Sequence, residues 1–442
     1  MGEDRGEAVW ADILDFAGNR VTQLLVAEQS GSNAPSADNV VRITPKDVVA
    51  TFGGALRFDH EALRRSQRGA LYSVLGHWTA HSDVPATVVM PTGTGKTETM
   101  LALLVAERIE RLIVLVPSDS LREQIAAKFE RLGVLQELGI VNASAARPSV
   151  GRMTRSFSDA AAAADFASAC NVVVATPQIL NTSTAEARNA ILDACTHLFV
   201  DEAHHVEART WTTVRERFAD RPVLQFTATP FREDGKHMAG KIVYTYPLRA
   251  AQSDKVFAPI DYYSILDFDD TDDALARGAL DRLGSDLAAG YDHVLMARAK
   301  SIPRAKELAE LYRRLGPEYN PVLIYSSMRA TAKKAALDAL HAGETQVIVC
   351  VNMLGEGFDL PSLKIAAVHD PQKSLSVTLQ FIGRFARTKA GSGEPRQRVR
   401  LRRSPGRSPG HTASVPVCRR RGLERTASRP VRHRDLRRGR GR

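Results

Sequence analysis

Cysteine is scarce in this chain: four in 442 residues (Cys170, Cys195, Cys350, Cys418), with no C-x-x-C pair. That spacing offers no disulfide framework and no paired metal or redox motif, and three of the four sit in or beside apolar runs, as reduced core thiols do. No apolar run reaches the roughly 18–20 residues that span a bilayer, so no membrane partner is expected. The opening Met1-Gly2-Glu3-Asp4-Arg5 is polar and partly acidic, unlike a secretory signal, and a cytoplasmic location is expected. Aromatic residues make up 6 % of the chain, with no run of them for stacking bases. No short-period repeat and no nuclease or methylase motif is found. An apolar content of 44 % with 25 % charged residues fits a globular chain with ample core, of two or three domains at this length.

Acidic residues are nearly missing from the C-terminal end. Residues 396–442 hold 17 arginines, no lysine and two acids, Glu424 and Asp435, a net charge of +15. The whole chain carries +10, so residues 1–395 carry −5. The main body is mildly acidic, and any nucleic-acid surface on it must be a local groove rather than a general basic field.

What is present begins at Pro91-Thr92-Gly93-Thr94-Gly95-Lys96-Thr97. The apolar run Ala86–Met90 before it reads as a buried strand, and Thr99–Ala106 after it as a helix. A strand, a glycine-bearing loop and a helix N-terminus make a phosphate cradle. Loop N–H groups and the helix dipole face the anion, Lys96 reaches the β/γ-phosphates, and Thr97 ligates Mg²⁺. Met90 holds the place of the first glycine of the general G-x-x-x-x-G-K-[ST] pattern. ATP and Mg²⁺ are the expected cofactors, with Gly93, Thr94, Gly95, Lys96 and Thr97 in contact.

Around this loop, apolar strands alternate with helices, the pattern of a parallel sheet covered on both faces. Each polar cluster falls just after a strand, at the carboxyl edge where such sheets bind ligands. Asp201-Glu202-Ala203-His204 ends the run Leu198–Val200. An aspartate there can hold Mg²⁺ opposite Thr97, and the adjacent glutamate can polarise water. His204 and His205 are adjacent, do not face one way and have no nearby cysteine, so coupling or packing is expected of them rather than zinc. Gln67, opening another helix, offers a donor and an acceptor to an adenine edge. A second alternation of strands and helices starts near Pro259. Residues 1–55 show apolar spacing around Trp10, Ile13, Leu14, Phe16, Val21, Leu24 and Leu25 that predicts helix.

Gln67, the 91–97 loop, Pro117-Ser118-Asp119-Ser120-Leu121, Thr176-Pro177, Asp201–His204, Thr227-Ala228-Thr229-Pro230, Gly355-Glu356-Gly357-Phe358-Asp359 and Gln380–Arg387 run in one order. That order resembles the motif series of the superfamily 2 DEAD/DEAH-box helicases over roughly residues 60–390. The wording at 227–235 and 355–361 resembles the branch of restriction-enzyme motor subunits, type III restriction (ResIII-like) included, rather than the DEAD-box RNA remodellers. The resemblance implies an α/β fold with two tandem RecA-like P-loop domains and parallel sheets. The implied division is an N-terminal helical segment (1–55), domain one (56–230), a connector (231–258), domain two (259–395) and a tail (396–442). It implies an ATP-dependent helicase or translocase on nucleic acid, DNA before RNA, with nuclease or methylase subunits as further partners. By the same resemblance Glu202, Arg384 and Arg387 are catalytic. Asp201, Gly357 and Asp359 join the nucleotide site, and Thr97 with Asp201 holds the metal. His204, Thr227, Thr229 and Gln380 couple the nucleotide to the strand, and Pro117, Ser118, Thr176 and Pro177 touch phosphates. Ser326, Ser327 and Asn352 are further strand contacts on domain two.

Past Arg387 the resemblance implies a helix and another apolar strand closing the second sheet. The text from Arg396 instead reads as Arg/Pro/Ser/Gly without a strand pattern. Two readings stay open: a basic disordered tail that grips phosphates, or a shifted reading frame that leaves domain two incomplete and the product without productive turnover. Arginine without lysine favours the shifted frame.

Overall fold

The structure, a computed structural model, describes residues 9–26, 43–52, 62–142, 145–203, 208–228, 240–258, 260–265, 270–325, 327–351, 360, 362–370 and 399–403. Its first elements are the strands β1 (Val9–Phe16) and β2 (Asn19–Val26) and the helices α1 (Pro45–Thr51) and α2 (Arg65–His81). Strand β3 (Ala86–Val89) and helix α3 (Lys96–Ala106) enclose the glycine loop, followed by β4 (Leu112–Leu115), α4 (Asp119–Glu130), β5 (Val150–Arg152) and α5 (Ala160–Ser168). Then come β6 (Val172–Ala175), α6 (Pro177–Thr182), α7 (Ala185–Ala194), β7 (His197–Val200), α8 (Ala208–Arg217), β8 (Val223–Thr227), β9 (Lys241–Thr245) and α9 (Leu248–Ser253). The second series is β10 (Ile260–Ser264), α10 (Thr271–Ala288), β11 (Val294–Ala299), α11 (Ile302–Leu315), β12 (Val322–Ile324), α12 (Ala330–His341), β13 (Val347–Val351), β14 (Leu363–Val368) and β15 (Val399–Arg403).

The strands form two sheets, the parallel α/β architecture that the alternation predicts and that the resemblance implies as two RecA-like domains. The first runs β1-β2-β5-β6-β4-β7-β8-β3-β9, the second β10-β15-β14-β11-β13-β12. All pairings are parallel except β1–β2 and β2–β5. Burial on both faces explains the unbroken Val/Ile/Leu runs. Leu112 and Val114 of β4 pack with α2, α3 and α4, while Ile113 and Leu115 of the same strand pack with α5 and α7. In the second sheet Leu295 and Ala297 face α10 and α11, and Val294 and Met296 the opposite side.

Three expectations are corrected. The helix expected through Trp10–Leu25 is a β-hairpin. Ala17 and Gly18 both take positive φ, 52° and 80°, as a two-residue hairpin loop requires, and the β-branched alternation of the flanks outweighs the helical spacing. The connector expected at 231–258 gives β9 to the first sheet, where Ala86 registers with Lys241 and Val89 with Thr245. The tail expected from 396 gives residues 399–403 to the second sheet, between β10 and β14, as the strand that the composition concealed. Val399 and Leu401 alternate with Arg400 and Arg402, a period of two masked by the arginine content.

Candidate nucleotide site and strand-binding edge

The glycine loop leaves β3 at Met90, whose N–H donates to the carbonyl of Thr227 at 2.9 Å. Gly93 and Gly95 take φ of 88° and 97°, a region that favours glycine. Gly95 also has no room for a side chain: a Cβ there would lie 2.2 Å from Gln67 Nε2. Gln67 thus lies over the phosphate loop, anchored by its Oε1, which accepts from Arg64 N–H at 2.8 Å. The Thr94 hydroxyl donates to the Pro91 carbonyl at 2.7 Å, and Ser66 Oγ donates to the Thr94 carbonyl at 3.0 Å. The Thr94 N–H also donates to the Pro91 carbonyl at 3.3 Å, so the buried Thr94 shapes the loop through both backbone and hydroxyl. Thr97 stands half-buried in the first turn of α3.

Asp201 and Glu202 leave the end of β7, one strand beyond β8 from the loop. Asp201 N–H donates to the Leu115 carbonyl at 2.8 Å, and its Oδ1 accepts from Glu202 N–H at 3.0 Å. Glu202 takes φ +47°, uncommon for a residue with a Cβ, and held strain of this kind clusters at functional sites. Lys96 Nζ bonds Glu202 Oε1 and lies 3.5 Å from Asp201 Oδ1; all three side chains are under 10 % exposed. Burial pulls the Lys96 ammonium down, but the charges of Glu202 and Asp201 win and hold its pKa above the ordinary lysine value. Burial raises the Asp201 carboxyl, against the pull of Lys96. Thr92, which sequence reasoning passed over, donates from Oγ1 to Glu202 Oε1 at 3.3 Å. Its place in the loop signals nothing beyond spacing.

The strand-contact candidates stand side by side on the same edge. Pro117-Ser118 follows β4 and Thr176-Pro177 follows β6, neighbouring parallel strands joined further by Val116 N–H to the Ala175 carbonyl at 3.0 Å. Ser118 is the N-cap residue of α4 without a side-chain cap bond. Thr176 is buried, and its Oγ1 accepts from Ile179 N–H at 3.4 Å as the cap of α6, so its hydroxyl faces the helix. Thr227 is buried at the end of β8. Ser327 is exposed at the start of the turn into α12. His204, Thr229, Ser326, Asn352, Gly357, Asp359, Gln380, Arg384 and Arg387 lie outside the described residues. Among the described residues no group of three or more His, Cys, Asp or Glu could hold a metal, and no helix is long and apolar enough to cross a membrane.

Two family models match the chain. "Type III restriction enzyme, res subunit" covers residues 60–232, and "Helicase conserved C-terminal domain" covers residues 288–389. A "51.5 kDa protein" of a Lactococcus phage is 26 % identical over 225 residues, 46 % of this chain and 48 % of its own length. "Putative helicase 22" of a Sulfolobus islandicus filamentous virus is also 26 % identical, over 43 % of this chain and 39 % of its own length. "UvrABC system protein B" of Fervidobacterium nodosum is 34 % identical over 93 residues, 14 % of its length. The chain therefore spans about half or less of the length of these three relatives. Among solved structures, a fragment of a putative HsdR subunit of a type I restriction enzyme from Vibrio vulnificus aligns with a TM-score of 0.55 at 16 % identity. That alignment covers 87 % of this chain and 73 % of the other. The Mycobacterium smegmatis helicase Lhr bound to ssDNA and AMP-PNP aligns at 0.50 and 17 % identity, over 78 % of this chain and 48 % of the other. At these identities the two structures establish the shared fold.

Proposed function

We propose that this chain, a superfamily 2 helicase of the type III restriction-like branch, is an ATP-driven motor that moves on nucleic acid, DNA in preference to RNA. The observation that carries the reading is the meeting of Lys96, Asp201 and Glu202, buried, at the mouth of a loop built on Gly93 and Gly95. Phosphoryl transfer needs positioning and charge neutralisation more than covalent chemistry. Lys96 supplies the cation, and the N-terminus of α3 supplies oriented N–H groups. On this reading Lys96 would leave Glu202 for the phosphates of a bound triphosphate, and the freed Glu202 carboxylate would accept the proton of the attacking water.

The donor set fits magnesium: Thr97 and Asp201 are hard oxygen donors, and the absence of a side chain at Gly95 lets Gln67 lie against the loop. Magnesium, when bound, offsets the charge of the phosphates. Arg384 and Arg387, by family resemblance, complete the charge from domain two. Gly357 and Asp359 join the nucleotide site, and His204, Thr227, Thr229 and Gln380 relay its state. The relay role of Thr227 is supported by its carbonyl, which accepts from Met90 N–H at the root of the loop. Pro117, Ser118, Thr176 and Pro177 form the strand track, with the Thr176 contact made through backbone.

The preference for DNA is supported by the restriction-enzyme relatives, whose kind also motivates nuclease or methylase subunits as partners. Steady-state ATPase of the full chain with single-stranded DNA, duplex DNA and RNA tests the reading. Stimulation greatest with DNA is expected. Absence of turnover with all three overturns it and leaves a nucleotide-binding product; stimulation by RNA alone overturns the DNA assignment.

A further inference from the structure

The N-terminal hairpin is joined to the strand-binding edge by contacts that no motif predicts. Strand β5 lies between β2 and β6, and Arg152 registers with Val174. The residues after β5 therefore emerge one strand, about 4.8 Å, beyond Thr176-Pro177. These residues, Thr154, Arg155 and Ser156, are all exposed. The hairpin turn braces them. Asn19 is fully buried, and its Oδ1 accepts from both Thr154 N–H and Arg155 N–H at 2.8 Å. Thr154 Oγ1 donates to the Gly18 carbonyl at 3.2 Å. A Cβ on Gly18 would lie 2.8 Å from Arg155 Cδ, so the arginine stem runs across the turn at the one residue that leaves room for it.

Among the described residues Arg155 enters no ion pair. Asp15 on the hairpin and Asp159 at the head of α5 each accept a backbone N–H through Oδ1, from Gly18 at 2.8 Å and from Ala162 at 2.9 Å. The result is an exposed cation flanked by the hydroxyls of Thr154 and Ser156, in line with the ends of β4 and β6. Such a group suits a phosphodiester oxygen and reads no base.

We propose that Arg155, braced by the hairpin turn, contacts a backbone phosphate and extends the polynucleotide track one strand beyond Thr176-Pro177. The inference rests on the motor reading, since it takes that track as given. The test is binding of the full chain to fluorescein-labelled oligothymidylate and oligouridylate, followed by anisotropy across a salt series. Arg155→Gln keeps the stem over Gly18 and removes the charge; Arg155→Lys keeps the charge. Loss of one phosphate contact on a single strand lowers the slope of log K against log salt by about 0.7, a weakening of about fivefold at 0.1 M salt. Arg155→Gln is expected to show that drop, and Arg155→Lys to keep the parent slope. An unchanged slope in Arg155→Gln overturns this inference alone. Failure of the parent protein to bind either strand overturns the motor reading, and this inference with it.

Discussion

Both sheets end their carboxyl edges in buried charge, and the two clusters are built differently. In the first domain Lys96 faces Asp201 and Glu202 across a loop with two positive-φ glycines, and Glu202 itself sits at positive φ. In the second, Asp272 accepts from Arg304 and pairs at 2.8 Å with His369 Nδ1, whose Nε2 meets Tyr312 Oη at 3.0 Å. Asp370 Oδ2 accepts from Lys300 N–H at 2.9 Å, and its carbonyl accepts from Arg298 Nη1 at 2.7 Å. That second set ties the start of α10, the helix α11 and the ends of β11 and β14 together. Burial of charge alone therefore does not mark a site. The first cluster has a cation that an anionic ligand can claim, beside an open helix N-terminus. In the second, each of these charged groups is met by a partner from a neighbouring element, and the set works as a brace.

The largest effects expected lie in the first cluster. Lys96→Ala removes the cation proposed to neutralise the transferred phosphate, and ATP turnover should fall on the order of 10³-fold or more. Glu202→Gln keeps the shape, leaves Lys96 to Asp201 and should lower turnover by roughly 10²–10⁴-fold. Thermal melting is the control, because Lys96→Ala leaves two buried carboxylates without their cation. Full turnover in Glu202→Gln would remove the base assignment and reduce the first cluster to a brace like the second.

Asp272→Asn tests the other side of the contrast, with a smaller effect on stability and none on turnover. Burial works to raise the Asp272 carboxyl, but hydrogen bonds from His369 and Arg304 outweigh it and hold the pKa at about 2, below the ordinary 3.8. A depressed folded-state pKa stabilises the native protein above the unfolded value and ceases to do so as pH falls through the folded one. Charged hydrogen bonds contribute about 1.5–3 kcal/mol. Asp272 is a quarter exposed, and solvent screening reduces the expected loss to about 1–2 kcal/mol. Denaturant melts of the two proteins should differ by that amount above pH ~5 and converge toward pH 2. A gap that persists at pH 2 would mean that packing, not charge, holds this edge.

The contrast was half legible in the sequence. The first cluster was readable because phosphate binding demands small residues and a lysine at fixed spacing, and because Asp201-Glu202 follows an unmistakable strand. The second was not. Asp272, Arg304, Tyr312 and His369 are far apart in the chain, and only the sheet register brings them to one edge. The hairpin was missed because Trp10, Ile13, Leu14 and Phe16 satisfy helical spacing as well as strand alternation, and the decisive signal was the Ala17-Gly18 turn. The strand 399–403 was missed because arginine content masked a period of two. Thr176 follows β6 at the carboxyl edge, but no spacing shows that its hydroxyl is turned inward as a cap.

Tyr312→Phe makes the finest cut between brace and site. The ring is fully buried and would keep its packing, so the change subtracts the hydroxyl that meets His369 Nε2. A hydrogen bond of this kind contributes about 0.5–1.5 kcal/mol net, and the melting midpoint in urea should fall accordingly. KM for ATP and kcat should both stay at the parent values, because the tyrosine packs, among the described residues, with His369 and the α10–α11 core of the second sheet. A change in kcat at unchanged stability would show that the edge of the second sheet moves with the catalytic cycle. The two clusters would then be two halves of one machine rather than a site and its scaffold.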